Sequence, residues 1–94
     1  MLKLFLLERE DVSESVKITF LIAADCEKSA RKIASENAII SRHKDFWLRQ
    51  KKEKTIIITS VTFKASYGAS CKEIGAASPD IFQGVLLTRK YLTA

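Results

Sequence analysis

The segment "SVKITFLIAADCEKSARKIASENA" (15–38) changes periodicity halfway along, and that change sets the fold class. In its first part Val16, Ile18, Phe20 and Ile22 alternate with Lys17 and Thr19, the period-two pattern of a half-buried strand. From Asp25 onward the spacing becomes helical. Cys26, Ala30, Ile33, Ala34 and Asn37 fall on one stripe, and Lys28, Arg31, Lys32 and Glu36 are expected to face water. Asp25 is a suitable N-cap, since its carboxylate can accept from the free amides of the first turn. Glu27 and Arg31 stand at i,i+4, a favourable pair. Asn37 tolerates the left-handed backbone that often ends a helix. A strand running straight into an amphipathic helix predicts a sheet with a helix laid on one face.

Working upstream, "LKLFLLE" (2–8) is apolar at nearly every position, as in a strand covered on both faces. The polar "REDVSES" (9–15) separates the two strands, so 2–24 reads as an antiparallel hairpin. Downstream, Ser41 can cap a shorter helix over 41–51 in which His43, Phe46, Trp47 and Gln50 share a face. Lys51, Lys52 and Lys54 would then complement the dipole at its C-terminal end.

"TIIITSVTFKASY" (55–67) reads as strand throughout. Thirteen residues would span roughly 43 Å at about 3.3 Å each, more than twice a usual strand, so a bend or bulge is expected near Thr59–Ser60. "YGAS" is a turn, "CKEIG" (71–75) a short strand or irregular, and "AASPDIF" (76–82) a loop or single helical turn. "QGVLLTRKYL" (83–92) closes the sheet.

With 94 residues the chain has room for one domain, 1–94. The expected fold is α+β: a mainly antiparallel sheet in the order β-β-α-(α)-β-β, with helix 25–38 on one face. The charge is uneven. Residues 42–54 hold Arg42, Lys44, Arg49, Lys51, Lys52 and Lys54 against Asp45 and Glu53, a net +4 of the chain's +5. The stretch "EREDVSE" (8–14) sums to −3. "MLKLFLLERE" is too short in apolar residues for a signal-peptide core or a membrane span.

Catalytic chemistry has little to rest on. His43, the one histidine, sits between Arg42 and Lys44, which oppose its protonation, and no neighbouring carboxylate is placed to orient it. Glu8, Glu10, Asp11 and Glu14 cluster without the glycine a calcium loop needs, and read as a solvated turn. Cys26 and Cys71 lack metal-type spacing and are expected to be free thiols, Cys26 facing the core. The three glycines are too widely spaced for a phosphate loop. No catalytic, cofactor-binding or metal residue is therefore assigned, and no small-molecule substrate.

Two binding readings remain. In one, Val61, Phe63, Ala65 and Tyr67 form an apolar edge with Lys64 as its one charge, suited to self-association as a homodimer. In the other, Arg42, Lys44, Arg49, Lys51, Lys52 and Lys54 neutralise phosphates of a nucleic acid and Trp47 or Phe46 stacks on a base.

Several elements carry a resemblance. "FLIAADCEKSARKIASENA" (20–38), the opening "LKLFLLERED", Trp47-Leu48, the Ser70-Cys71-x-x-Ile74 element and the closing Gly84-Val85-x-Leu87 strand resemble small uncharacterised proteins of phages, prophages and related mobile elements. The chain departs from that pattern in a long insertion, "RQKKEKTIIITSVTFKASYGA" (49–69), and in lacking a small-residue ending. The resemblance implies a cytoplasmic accessory protein of a mobile element and carries no specific activity. The expected function is a non-enzymatic protein-interaction module, with nucleic-acid binding through 42–54 as the alternative.

Overall fold

The computed structural model describes residues 1–11, 16–37 and 44–92; Asp11, Lys44, 53–58, 61–67 and Tyr91 are described by their backbone. The fold is a small single-domain α+β arrangement. Strands β1 (Lys3–Asp11) and β2 (Val16–Ala24) are followed by helices α1 (Glu27–Glu36) and α2 (Lys44–Leu48). Then come β3 (Lys52–Ile58), β4 (Val61–Tyr67), β5 (Ser70–Ala76) and β6 (Gly84–Leu92). Four strands form one sheet in the order β5-β1-β2-β6, and β3 and β4 form a separate two-stranded sheet. All named pairings are antiparallel.

The alternation read in β2 places Val16, Ile18, Phe20 and Ile22 on the buried face, joined by Phe5 and Leu7 of β1. Ala30 and Ala34 bring α1 down onto this face, because a methyl side chain lets a helix axis approach closely. Trp47 of α2 fills the space beside them. Its ring meets Phe20 edge-on, with centroids 4.9 Å apart at 63°. The opposite face of the sheet is open, with Leu4, Leu6, Lys17, Thr19 and Leu21 half-buried. So β1 is not covered equally on both sides.

The expectations for the two helices are corrected. The N-cap of α1 is Cys26, which is exposed and makes no side-chain capping bond; Asp25 stands one residue outside and accepts from the Ser29 hydroxyl, which lowers its pKa. The buried stripe is Ala30, Arg31, Ala34 and Ser35, rotated away from Cys26 and Asn37, so Arg31 does not face water. Asn37 does end the helix, but at φ −104°, with its Nδ2 donating to the Ile33 carbonyl at 2.7 Å. The second helix ends at Leu48, so Lys52 and Lys54 lie in a strand and the dipole does not explain the basic run.

The segment 55–67 is not one bent strand. The chain reverses at Thr59 (φ 51°) and Ser60 (φ 66°), and β3 pairs back on β4 from Lys52↔Tyr67 to Ile58↔Val61. Positive φ at both central residues is what a two-residue type I′ hairpin turn requires. Asn-Gly usually supplies it, and a threonine there costs roughly 1–2 kcal/mol. The "CKEIG" segment proves to be a full edge strand paired with β1, and Gly84–Leu92 pairs with β2 at the other edge.

Candidate functional site: the hairpin and its root

The β3–β4 hairpin sets the shape of the molecule. Overall dimensions are 55 × 20 × 20 Å and the radius of gyration is 14.7 Å, against roughly 12 Å for a compact chain of this length. Among the described residues β3 and β4 pack chiefly on each other, and the hairpin joins the body at a narrow root.

That root is built around one side chain. Arg31 is 7% exposed, and its Nη1 donates to three carbonyl oxygens: Arg49 at 2.8 Å, Ala69 at 2.8 Å and Trp47 at 3.2 Å. Its Nε and Nη2 face Glu27 Oε1 at 3.3 and 3.1 Å. Arg49 enters the hairpin and Ala69 leaves it, so a single guanidinium holds both ends. The Ala69 amide also donates to the Arg49 carbonyl at 3.0 Å. Gly68 (φ +82°) completes the closure, since a Cβ there would lie 2.3 Å from the Gln50 carbonyl oxygen.

A cleft of about 690 Å³ opens at the root, lined among the described residues by Phe46, Arg49, Gln50, Lys52 and Gly68. Behind Phe46 stands Arg9, itself buried, with its guanidinium carbon 4.5 Å from the ring centroid. This is a cation–π geometry. Glu8 and Glu10 line a smaller neighbouring depression with Arg9, Lys17, Lys51 and Ser70.

The residues singled out in the sequence are dispersed by this arrangement. Trp47 is fully buried, so its ring belongs to the core and is not offered to a base. Arg49, Lys51 and Lys52 are exposed around the root. Arg42 and His43 lie outside the described residues, and Lys44 and Lys54 are placed by backbone alone. Val61, Phe63, Ala65 and Tyr67 occupy alternate positions of β4, paired with Ile58, Ile56, Lys54 and Lys52. Glu14 is likewise outside the described residues; among those described, no group of three His, Cys, Asp or Glu can hold a metal ion. Arg31, Gly68 and Arg9 were missed. The signal for Arg31 was its place between Ala30 and Ala34, small residues that leave room for a long side chain beside them.

Both cysteines are free. Cys71, partly buried against the core opposite Leu7, has its thiol pushed up to about 11 by burial. The thiolate is the reactive form, so at pH 8 Cys71 should alkylate about a hundredfold more slowly than the same thiol at its unshifted value of 9.0. Iodoacetamide labelling followed by peptide mapping should find Cys26 modified first. Equal rates at the two positions would contradict the burial of Cys71.

No family model, no curated protein and no solved structure matches this chain. Among the described residues no helix is long and apolar enough to cross a membrane.

Proposed function

We propose that the protein is a non-enzymatic interaction module that binds another protein chain, in the first instance a second copy of itself, through the β3–β4 hairpin. One observation carries this reading: among the described residues the hairpin is a sheet of two strands only, so the outer edge of each strand has no further strand paired to it there. Isolated two-stranded hairpins are marginal in water and gain stability from a third strand or a covering surface. Unpaired edge amides and carbonyls are the template for such an addition. The paired positions Ile58/Val61 and Ile56/Phe63 supply apolar residues toward the tip, where a partner would have most to bury. Two-fold symmetry lets one edge satisfy its own copy.

The non-enzymatic part rests on the chemistry available. The single histidine is flanked by cations in sequence, and Cys71 is protonated at neutral pH. The resemblance to mobile-element proteins supports an accessory role in the cytoplasm.

Sedimentation tests the partner. The wild type should form a dimer at micromolar concentration, and Thr62→Lys, which adds a second charge to β4, should shift it toward monomer. A wild type that is monomeric at every accessible concentration would remove self-association and take from the protein-binding reading its main structural support.

A further inference from the structure

The cleft at the hairpin root has a chemistry of its own, separate from the strand edges. We infer that it binds a nucleotide unit, with the base against Phe46 and the phosphate held by Arg49 and Lys52. Three observations converge. The volume, about 690 Å³, lies within the range of small-ligand sites. The charged groups among the described lining residues, Arg49 and Lys52, are both cations. Arg9 backs the Phe46 ring, its guanidinium carbon 4.5 Å from the centroid, while the exposed Arg49 and Lys52 favour an anionic ligand. The apolar part of the wall selects the rest of the ligand. Phe46 is the one apolar side chain among those lining residues; the remaining hydrocarbon is the methylene stems of Arg49, Gln50 and Lys52. An aromatic ring beside a planar guanidinium suits a flat ring system, because stacking is tolerant of which base is presented. The Gln50 amide, which both donates and accepts, can meet the edge of a base.

The same nucleotide chemistry arises from a free mononucleotide and from single-stranded nucleic acid, and titration separates them. Full-length protein is titrated with adenosine monophosphate by calorimetry, and with a labelled single-stranded oligodeoxyadenylate by fluorescence anisotropy. Inorganic phosphate, laurate and duplex DNA are run in parallel. Binding of the mononucleotide, competed by the oligomer, supports the site with a free nucleotide as its ligand. Binding of the oligomer alone supports it with a strand as the source, at a slope of log K on log salt near −1.4 for two phosphate contacts. Phe46→Leu, which keeps an apolar side chain over Arg9, should weaken the bound form about five- to a hundredfold, the value of one base stack. The exposed pair Arg49→Glu with Lys52→Glu should abolish it while leaving the circular dichroism unchanged. The inference is overturned by three results: neither nucleotide form binds; the oligomer binds no better than duplex and ignores Phe46→Leu; or laurate binds and nucleotides do not. The wild-type titrations decide even where a variant fails to fold. Dimerisation is read from protein alone by sedimentation, so the two proposals fail separately.

Discussion

Arg31→Met should melt far below the wild type, by roughly 10–30 °C. The substitution keeps an unbranched side chain of similar length but withdraws the donor shared by the Trp47, Arg49 and Ala69 carbonyls. The Arg49 oxygen retains the Ala69 amide; the other two lose a charged donor at a buried site. Each buried acceptor left without its partner costs about 1–3 kcal/mol, which gives a loss of about 2–6 kcal/mol. A domain of this size has roughly 5–14 kcal/mol in total, and each kcal/mol moves its midpoint by about 4–8 °C. Glu27→Gln is the control. Glu27 is half exposed, so its ion pair with Arg31 is screened and worth at most about 1 kcal/mol. Thermal unfolding by circular dichroism measures both variants, and hydrogen exchange at the Ala69 amide locates the damage at the root. An Arg31→Met midpoint within about 2 °C of wild type would mean that the guanidinium does not hold the hairpin.

Trp47→Ala should cost about 3–5 kcal/mol, the usual value for emptying a buried aromatic site. The ring is fully buried against Phe20 and stands on a helix of five residues, too short to hold itself without that anchor. Trp47→Phe should cost far less. It keeps an aromatic edge for Phe20 and removes an indole N–H that has no acceptor among the described residues. Denaturant titration of the two variants gives the comparison. Equal losses would show that a phenyl ring cannot fill the site and that the aromatic edge toward Phe20 is not what Trp47 contributes.

The first half of the chain was legible because its signals are local. Alternation in 16–22 set the buried face of β2, and the change to helical spacing after Asp25 set α1. Antiparallel pairing of β1 with β2 follows from a polar turn between two apolar runs, and the register obeys it from Lys3↔Ala24 to Asp11↔Val16. The hairpin was less legible because its turn is made by Thr59 and Ser60, residues that do not advertise positive φ. Residues on both sides of the turn lie in strands, β3 and β4, as the reading of 55–67 as strand expects. What was missing was any glycine or asparagine to say that the chain reverses rather than bends.

The sequence by itself determined the single α+β domain, the strand and helix types, and the concentration of positive charge within 42–54. It determined them because periodicity, composition and charge are sums over neighbours. The tertiary structure decided where those charges stand and what Arg31 does. Its guanidinium is buried only because carbonyls 16, 18 and 38 residues further along the chain converge on it. On an isolated helix the same side chain, one step from the apolar stripe, would be solvated. Burial of a charge depends on acceptors that only the folded backbone brings together.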